Sequence, residues 1–65
     1  PRQREVLKLL ATGRSAKEIA RELVLTPGTV RSHLSAIYHR LGVHDRIAAV
    51  LTLSRHHALI FLLFI

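Results

Sequence analysis

Arg31, Ser32 and Ser35 place one long cation and two short hydroxyls close together in the stretch TPGTVRSHLSAIYHRL, Thr26–Leu41. Reading base edges calls for such side chains: a guanidinium fork matches the acceptors of guanine, and a serine hydroxyl either donates or accepts. Thr26 and Thr29 in the same stretch, Lys17 before it and Arg46 after it have the chemistry for phosphate, which positions a ligand without carrying sequence information. Each also has a plainer reading. Thr26 can be only a helix cap, Lys17 and Arg46 only solvated charges, and Ser32 and Ser35 only surface residues. Arg31 leads the set because it flanks the exposed face one turn from the helix start.

The five histidines offer other chemistry, and the spacing argues against it. His56 and His57 are adjacent and point different ways, and no carboxylate pair stands at ligand spacing with any histidine, so no metal site is expected. Ser35 and His39 lie one helical turn apart, but a hydrolase also needs an orienting acid, an oxyanion site and a pocket. The expectation is a protein that is not an enzyme and holds no cofactor. His33 borders an apolar face, which suits a structural role or a phosphate contact.

These side chains need a rigid helix to present them. Thr26 can cap its start, Pro27 suits the first helical position and Gly42 can end it, giving a helix over Pro27–Leu41. At about 100° per residue, Val30, Leu34, Ile37, Tyr38 and Leu41 share one face. Ser32, Ser35, Ala36 and His39 lie opposite, with Arg31 on one flank and Thr29 and Arg40 on the other. Before it, Arg2–Thr12 reads as a first helix with Pro1 at its mouth and Gly13 to end it, burying Val6, Leu7, Leu9 and Leu10. Ser15-Ala16-Lys17-Glu18 is a capping box, so a second helix starts at Ala16 and runs to about Val24, with Ile19, Ala20 and Leu23 inward. Leu25-Thr26 then turns directly into the third.

After Gly42, Asp45 is an N-cap for a fourth helix opening with Arg46 and Ile47. Two stripes run along it, Ile47, Leu51, Ser54 and Ala58 on one side and Ala49, Leu53, His56, Ile60 and Leu63 on the other. One can pack inward while the other meets a partner helix. Ala49, Leu53 and His56 are the expected contacts between two copies of the chain. The wholly apolar tail, residues 58–65, falls short of the about twenty residues that a spanning helix needs, and Arg55, His56 and His57 interrupt the run upstream, so no transmembrane segment is expected. No stretch alternates with period two, so the fold class is all-α with four helices, and the short turn between the second and third makes it a helix-turn-helix with helix three as its recognition helix.

Composition narrows the function. Sixty-five residues make one domain with a small core and little room for an enclosed active site. A net charge of +6, from ten Lys/Arg against four Asp/Glu, favours a polyanion. The absence of cysteine removes disulfides, thiol catalysis and cysteine zinc sites, and fits a reducing cytoplasm. The chain opens on PRQRE without Met or a signal peptide, so it reads as a piece of a longer protein.

The segments REVLKLLATG, SAKEIARELVLTPGTVRSHL and LGVHDRIAAV, in that order and spacing, resemble the LuxR-type (GerE-like) helix-turn-helix domain of bacterial transcription regulators, from Pro1 to about His57. The resemblance implies the C-terminal part of a response regulator or ligand-sensing regulator in the cytoplasm, with double-stranded DNA as its partner. It also implies an N-terminal regulatory domain, contact with RNA polymerase, and dimerisation through helix four on an inverted repeat. Family base contacts map onto Arg31, Ser32 and Ser35, and backbone contacts onto Lys17, Thr26, Thr29 and Arg46. The family often carries a lysine or other long polar chain near Ser35, and it rarely ends in a run like IFLLFI. Two alternatives remain: region 4 of a sigma factor, against which the fourth helix argues, and a helical protein-interaction or membrane-surface module, suggested by the apolar seam beside a basic face.

Overall fold

The computed structural model describes residues 2–64, so Pro1 at the mouth of the first helix and Ile65 at the end of the apolar tail lie outside the described residues. Four helices follow in order: α1 Arg2–Ala11, α2 Ala16–Leu23, α3 Pro27–Leu41 and α4 Arg46–Leu63. The chain is all-α, as its periodicities imply.

Local chemistry sets most of the helix ends. In the α2 capping box the Ser15 amide donates to Glu18 Oε1 at 2.8 Å and the Glu18 amide to Ser15 Oγ at 3.2 Å. Asp45 caps α4 by accepting the Ala48 amide at 2.8 Å. The first three helices close with the same pair of backbone bonds, one reaching back five residues and one three. In α1, Arg14 N–H donates to the Leu9 carbonyl and Gly13 N–H to Leu10; in α3, Val43 N–H donates to Tyr38 and Gly42 N–H to His39. Each closure needs a left-handed residue, and Gly13 and Gly42 supply it at φ 89° and 72°. In α2 that residue is Val24, at φ 55°. A β-branched side chain is disfavoured there, so the turn into α3 stores strain that nothing in the composition of the turn announced.

The core joins Val6, Leu7 and Leu10 of α1, Ile19 and Ala20 of α2, Val30, Leu34 and Ile37 of α3, and Ala49, Leu53 and Ile60 of α4. Leu9, Leu23, Tyr38 and Leu41, expected inside, are only partly buried around its edge. Helices α1 and α3 each touch every other helix, whereas α2 and α4 do not meet. So α1 braces the helix-turn-helix from behind, and α4 packs on the outer side of α1 and α3.

That arrangement corrects the phase assigned to α4. Ala49 and Leu53, expected at a contact between two copies, are 0% and 2% exposed inside this chain's own core. They face α1 and α3, the surfaces nearest to α4, and cannot also face a second molecule without unpacking the domain. The exposed stripe is the other one: Ile47 is 74% and Leu51 54% exposed, with Ser54 and Ala58 exposed in line with them. His56 is exposed, but it stands where α4 breaks, at φ −134° and ψ 39°. Beyond the break, Ile60 and Phe64 return to the core. Residues 58–63 therefore belong to an 18-residue helix that is long and apolar enough, by length and composition, to cross a membrane, which corrects the expectation that the chain has no such segment. Its inward stripe is nevertheless built into the four-helix core.

Candidate nucleic-acid interface

The exposed side of α3 is held at its start by two threonines. The Thr29 amide donates to Thr26 Oγ1 at 3.2 Å, which caps the helix, and the Thr26 hydroxyl donates onward to Thr29 Oγ1 at 2.9 Å. Thr26 thus has its proton directed at Thr29, while Thr29 keeps its own hydroxyl proton for an external acceptor. Of the two threonines assigned to phosphate, Thr29 is the one placed to donate, and Thr26 orients it.

One turn on, Arg31, Ser32 and Ser35 are all exposed, so the three residues assigned to base contact share one accessible surface. Lys17 is exposed in the first turn of α2, just after the Ser15 cap. Arg46 is different. It is half-buried, and its Nη2 donates to the Arg14 carbonyl at 2.6 Å, tying the start of α4 to the turn between α1 and α2. The backbone contact assigned to Arg46 therefore competes with a structural bond, which no local pattern could reveal because its partner lies thirty-two positions away.

The acids show where the positive charge is left uncompensated. Glu5 pairs with Arg2 at 3.5 Å and Glu22 with Arg14 at 3.2 Å, while Glu18 and Asp45 serve as caps. These are the four carboxylates of the chain, and none lies on α3. Helix α3 carries Arg31 and Arg40 with no acid beside them in its sequence. Its outer face is therefore cationic, and its positive N-terminal dipole end adds to that potential. Hydrogen bonds from Ser15 hold the Glu18 carboxyl below the ordinary glutamate range, with smaller help from Arg14 and Arg21. Burial raises the pKa of Tyr38, on the inner flank of α3, which keeps its phenol neutral. Among the described residues no three His, Asp or Glu side chains come together to hold a metal ion.

This geometry, a tightly turned pair of helices whose second member offers a cationic, hydroxyl-bearing face, accompanies a sequence match to the bacterial regulatory proteins of the luxR family over residues 1–53. The chain belongs to the luxR family. Membership makes it a DNA-binding helix-turn-helix domain of transcription regulation, and sets aside the sigma-factor alternative. NarL of Mycobacterium tuberculosis is 47% identical over 58 residues, covering 89% of this chain and 27% of its own length. The transcriptional regulatory protein DesR of Bacillus subtilis is 49% identical over 49 residues, 75% of this chain and 25% of its own. The spore germination protein GerE of Bacillus subtilis is 46% identical over 54 residues, 83% of this chain and 73% of its own. The chain thus spans about a quarter of the length of NarL and DesR and most of GerE.

Proposed function

We propose that the chain is a sequence-specific reader of duplex DNA that lays the N-terminal half of α3 in the major groove. Arg31, Ser32 and Ser35 take the base edges there. Thr29, oriented by Thr26, and Lys17 take flanking phosphates, and Arg46 does so only through donors left free by its bond to Arg14. The observation that carries this reading is the acid-free, exposed polar face of α3, set at a fixed angle by the Val24 turn. A cationic face with short hydroxyls matches the acceptor-rich groove, and its helix start matches phosphate.

The working unit is a dimer on an inverted repeat, joined through the outward stripe of α4, Ile47, Leu51, Ser54 and Ala58, in place of Ala49 and Leu53. An apolar seam on so small a domain is best accounted for by a second copy, since a twofold pair also doubles the contact with DNA. The domain acts in the cytoplasm within a longer regulator, as its share of the lengths of NarL and DesR supports, with an N-terminal regulatory domain and RNA polymerase as further partners.

In vitro selection from a random duplex pool tests both parts. A symmetric motif with two half-sites about one helical turn apart is the expected product. Recovery of no enriched motif by folded protein overturns the sequence-reading claim, and a single unpaired half-site overturns the dimer.

A further inference from the structure

Between the first turn of α1, one flank of α3 and the end of α4 lies an open cleft of about 380 Å³, with Arg2, Arg4, His33 and Arg40 among its walls and Leu63 and Phe64 behind them. Among the described residues no acidic side chain lines it. Arg2 has Glu5 as a partner outside the cleft, but the buried Nε of Arg4 has no hydrogen-bond partner among the described residues.

Arg40 is fixed in place. Its guanidinium lies 4.1 Å above the centroid of the Phe64 ring, and its Nη2 donates to the Leu63 carbonyl at the end of α4. The ring takes one face of the guanidinium and the carbonyl one edge, which leaves other in-plane N–H donors for an anion. Both anchoring residues lie beyond residue 53, where the family match ends, and both are brought there by the break in α4 at His56. The cleft is thus completed by the part of the chain that the family pattern does not explain.

At 100° per residue, Thr29, His33 and Arg40 fall on one flank of α3, so the cleft continues the side on which Thr29 offers its hydroxyl. We propose that it receives a phosphodiester group of the DNA backbone beside the groove read by α3, and that the last turn of α4 serves to hold Arg40 for that contact. This rests on the DNA-reading function given above. Arginine forks match phosphate oxygens two at a time, and an open cleft suits an anion that belongs to a larger body.

The test is the salt dependence of binding by the full chain to a duplex of arbitrary sequence, followed by fluorescence anisotropy, with circular dichroism to confirm folding. Arg4→Ala and Arg40→Ala combined should lower the slope of log affinity against log salt by about 0.9, a loss of about eightfold at 0.1 M salt relative to 1 M, and each alone should lower it by part of that. Arg4→Lys should restore most of the slope. Phe64→Leu, which keeps apolar volume and removes the ring face, should weaken binding to all sequences alike, whereas Leu62→Ala on the exposed side should not. Folded Arg4→Ala and Arg40→Ala proteins with wild-type slopes would overturn the proposal. So would saturable binding of inorganic phosphate by the free protein at physiological salt, which would assign the cleft to a free anion. A wild-type chain that binds no duplex even at low salt would instead overturn the DNA reading itself, and this contact with it.

Discussion

The outer face of α3 is polar, and its start and end are fixed by hydrogen bonds between near neighbours in sequence. The outer face of α4 is apolar, and its phase is fixed by its packing on α1 and α3. The first face is built to be read by a ligand whatever else the domain does. The second is defined by subtraction, as whatever α1 and α3 leave uncovered. Local chemistry can therefore aim a recognition surface, but only packing decides which side of an apolar helix is available to a partner.

The sharpest way to break that contrast is to truncate one residue from each stripe of α4. Leu53→Ala removes a fully packed side chain and should cost about 2–5 kcal/mol. A domain this small has little stability in reserve, so urea titration should find it largely unfolded. Leu51→Ala, on the exposed stripe, should change stability by no more than about 0.5 kcal/mol while weakening self-association on DNA. Equal losses of stability from the two would mean that the stripes are not inward and outward after all.

The same contrast explains what could be read without coordinates. The Ser15–Glu18 box, the Thr26 and Asp45 caps and the Gly13 and Gly42 closures are each decided within a few residues, and all are found as expected. The inward stripe of α4 was not legible, because both stripes are apolar and the choice depends on where α1 and α3 lie. Nor was the break at His56, which has neither proline nor glycine beside it to announce it. The Arg46 bond to Arg14 and the Arg40 stack on Phe64 join residues far apart in sequence, so spacing rules cannot see them. For the site, the exposure of Arg31, Ser32 and Ser35 followed from the helical wheel. The hydrogen bond from the Thr26 hydroxyl to Thr29 did not.

On the α3 side the decisive change is Arg31→Ala. If its guanidinium reads a base, affinity for a selected duplex should fall by about 1–3 kcal/mol at fixed salt, with relaxed preference at one position of each half-site. Lys17→Ala should instead weaken every sequence alike and flatten the salt dependence. Competition titrations against selected and scrambled duplexes separate the two. An Arg31→Ala protein that loses affinity equally for both duplexes would make Arg31 a phosphate contact.

Val24 is the exception on the locally determined side, since it occupies a left-handed position without the residue type that favours one. It is 89% exposed, so it contributes almost no packing to set against that strain. Val24→Gly relieves a cost of about 1–2 kcal/mol in the folded turn and adds freedom to the unfolded chain worth up to about 1 kcal/mol in the other direction. The net expectation is a gain of between about 0 and 2 kcal/mol in chemical denaturation, with no change in base preference. A clear loss would mean that the turn depends on the valine side chain.

The smallest effect is electrostatic and sits in the same helix pair. Bonds from Ser15 depress the pKa of Glu18 in the folded chain, so the folded state favours the charged carboxylate more than the unfolded state does. Its contribution is accordingly complete above the ordinary glutamate value of about 4.3 and is lost as pH falls through the lower folded value. Thermal midpoints should decline as pH is taken down through that window. Glu18→Gln keeps an acceptor for the Ser15 amide but cannot titrate, so its decline should be shallower, with the other three carboxylates accounting for what remains. Because the side chain is fully exposed, the difference should also shrink when salt is added. Parallel pH profiles for the two proteins would show that the box holds α2 through its hydrogen bonds alone, leaving the start of the helix pair indifferent to charge.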